Sequence, residues 1–94
     1  MKSLMVGTIV VAALWTAAPA QAALGDDTAD TTCRALGNNL TGNATNDAAV
    51  FAKIARGLAD VYVTSMQTGM QIEAYQIKTY CPQYVAYLRR AAGE

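Results

Sequence analysis

In the last third of the chain, Met70, Ala74, Ile77, Cys81, Tyr84 and Leu88 recur at alternating steps of four and three. That rhythm keeps one narrow apolar seam of a helix turned inward. Pro82 interrupts it. A proline clashes with the turn before it and pushes the preceding residue out of helical geometry. The pattern predicts a third helix following the Gly69 break, a kink at Cys81–Pro82, and a fourth helix over about 82–92 with Pro82 at its first position. Upstream, Val50, Phe51, Ile54, Leu58, Val61, Tyr62 and Met66 form a second stripe. It predicts the longest helix over about 48–67, capped by Asn46 or Asp47. Its end is the least defined boundary, because Val61-Tyr62-Val63-Thr64 also favours strand. Gly57 inside it signals either close approach by another helix or a local weakness.

The first third is polar. A short helix is predicted from Asp30 or Thr31 through Cys33 and Leu36, stopped by Gly37-Asn38-Asn39. Residues 37–47 (GNNLTGNATND) read as a loop. They hold two N-x-T triplets, at Asn39 and Asn43, which a chain rich in Asn, Thr and Gly produces readily without glycosylation. Residues 23–30 (ALGDDTAD) read as a flexible lead-in.

The first twenty-two residues follow a different grammar. A basic start at Lys2 precedes an uncharged apolar run from Leu4 to Ala18, then Ala20-Gln21-Ala22. This is the layout of a secretory signal peptide, cut between Ala22 and Ala23. The run is shorter than the roughly 20 residues needed to cross ~30 Å of hydrocarbon, so no stable membrane insertion is expected after cleavage. The expected organisation is residues 1–22 as leader, 23–30 as lead-in and 31–94 as an all-α domain of three to four short helices, in a protein that is secreted or held in the cell envelope or periplasm.

Export changes the meaning of the cysteines. Cys33 and Cys81 are the only two, and in an oxidising compartment they are expected to form one disulfide. A domain this small buries too little apolar surface for comfortable stability and usually carries such a staple. The Cys81–Pro82 step then reads as a pinned structural corner. A metal pair is disfavoured, because the chain has no histidine and two distant thiols lack the paired spacing of a zinc site.

Charge and chemistry narrow the function by subtraction. Loss of Lys2 with the leader leaves seven acidic against six scattered basic residues, too little field to gather nucleic acid. Ser65 is the only serine beyond the leader and has no basic partner in sequence. Asp47, Asp60 and Glu73 are isolated acids. No nucleotide-binding glycine loop is present, and Met66 and Met70 beside the tyrosines specify no haem geometry. No catalysis, metal or cofactor is expected. The enriched residue type is tyrosine: Tyr80, Tyr84 and Tyr87 step like one helical face and form the candidate binding surface, with packing in a half-buried shell as the competing role.

At the late cysteine the chain resembles a family of small exported actinobacterial, chiefly mycobacterial, helical proteins of unknown function. The residues that carry the likeness are Cys33 with Leu36, Thr68-Gly69-Met70, and Tyr80-Cys81-Pro82-Gln83-Tyr84. The asparagine-rich loop at 37–47 departs from the family's usual pattern. The resemblance implies export and a helical fold, and no activity. In outline the chain is also similar to periplasmic acid-stress chaperones of the HdeA/HdeB type, though it holds fewer titrating acids. The expected function is a non-catalytic binding or structural module with a protein partner. The alternatives are an acid-stress holdase and an exported inhibitor or exclusion protein acting on a cell-wall enzyme.

Overall fold

The computed structural model describes residues 25–94; the expected leader and its cleavage site lie outside the described residues. A 3-10 turn over 25–28 leads into α1 (Ala29–Asn39), followed by α2 (Ala44–Val61), α3 (Met66–Tyr80), a 3-10 turn (Pro82–Tyr84) and α4 (Val85–Ala91). No strand occurs among the described residues. The protein is an all-α bundle with one disulfide, as the pattern predicts.

The core follows the seam read from sequence. Leu36 of α1, Phe51 of α2, Ala74 and Ile77 of α3, Cys81 just past α3 and Leu88 of α4 form one buried cluster. Val50, Ile54, Tyr84, Val85 and Tyr87 pack half-buried around it. Burial of these side chains supplies the main favourable term, roughly 25 cal/mol per Å² of apolar surface.

Several boundaries move, each for a local reason. α1 runs through Gly37 to Asn39 instead of stopping at the glycine; the Asn39 side chain donates to the Ala35 carbonyl (2.7 Å) and the Leu40 N–H closes on Leu36 (2.9 Å). The loop shrinks to residues 40–43. Asn43, not Asn46 or Asp47, caps α2, its side chain accepting from the Asn46 N–H at 3.0 Å. Asp47 lies inside the first turn of α2 and reaches back to the N–H groups of Thr41 and Gly42, both at 2.9 Å. That spares the loop two orphan donors.

The α2–α3 connection departs furthest from the reading. α2 ends at Val61, and Ser65 caps α3 by accepting from the Thr68 N–H at 3.1 Å. Val61, placed on the apolar stripe by periodicity, is 64% exposed. Gly69, read as a break, lies within α3. A Cβ there would come within 2.4 Å of the Ala55 carbonyl oxygen and 3.0 Å of Ala59 Cβ. Gly69 is therefore the close-approach glycine that lets α2 and α3 cross, with small Ala55 and Ala59 opposite it. Gly57 meets nothing within 4 Å and is the local weakness.

Candidate functional site

The chain breaks at the Cys81–Pro82 corner. Cys81 ends α3 with φ −144° and ψ 63°, outside the helical region. Its N–H still bonds the Ile77 carbonyl (3.0 Å), and its own carbonyl accepts from the Tyr84 N–H (3.1 Å). Pro82 opens the 3-10 turn, where its missing N–H is not needed. Cys81 is bonded to Cys33 of α1, with Cα atoms 6.0 Å apart. The corner thus straps the first helix to the break between the third and fourth.

The same break splits the candidate tyrosine face. Tyr84 and Tyr87 lie beyond the corner and meet edge to face, ring centres 6.0 Å apart. The Arg90 guanidinium sits 5.5 Å above the Tyr87 ring. The Tyr84 hydroxyl lies over Gly37, 2.8 Å from where a Cβ would stand. Both rings pack half-buried against the core. Tyr80 points elsewhere. It pairs edge to face with Tyr75 at 6.5 Å and keeps 50% of its surface in solvent. Three residues that step evenly in sequence therefore belong to two separate pairs.

Tyr75 and Tyr80 lead to a constellation that sequence periodicity could not reveal. Both hydroxyls donate to one carboxylate oxygen of Asp26, at 2.6 and 2.9 Å. Tyr62 donates to Asp27 and also contacts the Thr28 hydroxyl at 2.9 Å. With the Tyr62 O–H directed at Asp27, the phenol oxygen accepts from the Thr28 hydroxyl. The Gln76 amide nitrogen donates to the Gly25 carbonyl (2.7 Å) and to Thr28 Oγ1 (2.8 Å). The segment read as a flexible lead-in is, from Gly25 onward, a turn clasped by four side chains from α2 and α3.

Electrostatics follow these bonds. The hydrogen bonds from Tyr75 and then Tyr80 hold the Asp26 carboxyl below its ordinary value. Reciprocally, the bond to Asp26 pushes the Tyr75 phenol up to about 12 and raises Tyr80. Burial, then Asp27, raises Tyr62. At Asp47 desolvation opposes the charge, but hydrogen bonds from Thr41, Asn46 and Gly42 outweigh it and lower the carboxyl. Glu73 stands apart: burial alone pushes it well above the ordinary carboxyl value. It is 3% exposed, whereas Asp60 lies on the exposed side of α2, so these two acids share no solvent-open pair.

No group of three or more His, Cys, Asp or Glu side chains among the described residues could hold a metal ion. No helix among them is long and apolar enough to cross a membrane. Asn39 and Asn43, the two triplet asparagines, both use their side chains in local helix-end hydrogen bonds. Comparison with protein-family models, curated proteins and solved structures finds no match.

Proposed function

We propose that this chain is an exported, non-catalytic helical module that binds a protein partner through the exposed side of its Tyr75–Tyr80 pair. The observation that carries this reading is the way the polar side chains are spent. Both cysteines form the strap, Cys81 buried and Cys33 half-buried. Asp26, Asp27 and Asp47 accept structural hydrogen bonds, and Asp30 pairs with Arg34 on one helix face. Few groups are left to do chemistry, while Tyr80 presents half of a large amphipathic ring to solvent. Such rings are favoured at protein interfaces.

Two measurements test it. The processed, oxidised protein is expected to begin at Ala23 and to contain no free thiol by mass; an intact leader or two free thiols overturns the exported, strapped module. Partner capture from the native compartment is then compared between wild type, Tyr80→Ala and Tyr84→Ala. Loss of the same partner in Tyr80→Ala alone supports the surface, and unchanged capture in both variants assigns the tyrosines to packing.

An acid-activated holdase is the second reading, favoured by Asp26 and Asp47. Both carboxyls are lowered in the fold, so their stabilisation is present above the ordinary carboxyl value and lost as pH falls through the folded value. Client aggregation assayed at about pH 2–3, below the carboxyl range, separates the two: a protein that stays folded and leaves clients to aggregate is no holdase.

A further inference from the structure

Two side-chain oxygens are buried without a hydrogen-bond partner among the described residues, Glu73 Oε2 and Gln76 Oε1. They lie three residues apart on α3, the spacing that makes helical side chains neighbours. Both share the side of α3 that Gly69 turns toward α2. The Gln76 amide cannot swing freely, because its nitrogen is committed to Gly25 and Thr28. Its oxygen is therefore an acceptor in want of a donor. A carboxylate offers none, but a protonated carboxyl offers one O–H. A single proton on Glu73 satisfies both orphans. Ionisation instead sets two acceptors side by side and strands a buried charge, which is far costlier than a buried neutral group.

Among the described residues, no cation packs inward beside Glu73 to stabilise the ionised form. On α2, the residues packed inward are Phe51, Ala55, Leu58 and Ala59, while Lys53, Arg56 and Asp60 are exposed and Asp47 is bound to its own loop. On α1, Asp30 and Arg34 are exposed and paired with each other. In the N-terminal turn, Asp26 is engaged by Tyr75 and Tyr80, and Asp27 by Tyr62. Lys78, on α3 itself, is exposed.

We propose that Glu73 and Gln76 form a proton-operated latch: the protonated carboxyl donates to Gln76 Oε1, fixing the amide that holds the N-terminal turn, and loss of that proton to solvent releases the turn. The latch is closed in acid and opens as pH rises, the reverse of the Asp26 contact beside it. Burial raises the folded carboxyl, so its stabilisation is complete below the unfolded value and lost as pH rises through the folded one. One linked proton makes the open fraction grow about tenfold per pH unit within that window.

The test is an NMR titration of the oxidised protein from about pH 4 to about pH 9, spanning the ordinary and raised carboxyl ranges. The Glu73 side-chain carboxyl carbon, the Gln76 side-chain amide and the Gly25 backbone amide are followed together. All three are expected to move with one midpoint well above 4.5, the ordinary glutamate value. In Glu73→Gln, which keeps a donor beside Gln76, the Gln76 and Gly25 signals should stay flat across that midpoint. An ordinary Glu73 midpoint, or a Gly25 amide indifferent to it, overturns the latch. So does a Glu73→Gln protein whose Gly25 signal titrates as in wild type. Should that variant not fold, the wild-type titration decides alone.

Discussion

Two ties hold α3, and they work in opposite ways. At its C-terminal end a covalent bond to Cys33 and an apolar shell of Leu36, Leu88, Tyr84 and Tyr87 hold the corner. Toward its outer side, four polar side chains hold the N-terminal turn through Gly25, Asp26, Asp27 and Thr28. The first tie answers to reductant and is indifferent to proton concentration. The second answers to pH and is indifferent to reductant. A small bundle that places its covalent reinforcement on one side of a helix leaves the polar side to respond to its surroundings.

Reduction should break this comparison most severely. The bridge closes a sequence separation of 48 residues, and the chain-entropy model assigns such a loop about 4 kcal/mol. That is comparable to the whole stability of a domain this size. Urea unfolding of the oxidised protein and of a Cys33→Ser/Cys81→Ser double variant should differ by about that amount. A difference below about 1 kcal/mol would show that packing, not the bond, holds the corner.

The next largest effect tests the α2–α3 crossing that seats the helix bearing both ties. Gly69→Ala drives a methyl against the Ala55 carbonyl at 2.4 Å, and backbone cannot step aside as a side chain can. Overpacking of this kind costs about 1–3 kcal/mol. Gly57→Ala, with nothing within 4 Å, should instead stabilise by about 1 kcal/mol. Thermal melts of the two variants should move in opposite directions. Equal shifts would mean that helix propensity, and not the α2–α3 crossing, governs both positions.

These glycines show where sequence reasoning reaches and where it stops. The seam through Ala74, Ile77, Cys81 and Leu88 was legible because a helical period is written locally in the chain. The disulfide was legible because two cysteines allow one pairing. The Gly69 crossing was not: a glycine after a polar stretch looks like a break until a second helix is known to pass over it. The clasp was still less legible, because Asp26 and Tyr75 stand 49 residues apart and hydrogen bonds between distant side chains leave no periodic trace. The pairing of the tyrosines was illegible for a related reason, since a helical wheel drawn through Tyr80, Tyr84 and Tyr87 ignores the break that Pro82 makes inside it.

The polar tie is sharpened by pH. Asp26 is lowered by its tyrosine bonds, so the clasp should weaken in acid as pH falls through the folded Asp26 value. Tyr75 is raised to about 12 from 10.0; its stabilisation is present below the unfolded value and lost as pH rises through the folded one. Melting temperature plotted against pH should therefore fall at both extremes. Asp26→Asn should flatten part of the acid limb, and Tyr75→Phe part of the alkaline limb. Limbs left unchanged by both variants would place the titrating groups elsewhere.

The smallest effect lies beside the clasp, at the close of α2. The Thr64 N–H bonds the Ala59 carbonyl (2.8 Å) and the Val63 N–H approaches that of Asp60 (3.3 Å), the pairing of a Schellman cap. That motif needs a left-handed residue between them, usually glycine. Here it is Val63, at φ 51° and 90% exposed. A β-branched residue in that region is a conformational outlier, with a penalty of about 1–2 kcal/mol for an L side chain. Glycine removes the penalty but gains chain entropy when unfolded, which offsets about 0.5–1 kcal/mol. Val63→Gly should thus stabilise by about 0.5 kcal/mol, with the gain visible in urea midpoint and in slower amide exchange at Tyr62 and Thr64. A loss of stability on that substitution would mean that the entropy glycine adds to the unfolded chain outweighs the left-handed penalty at Val63.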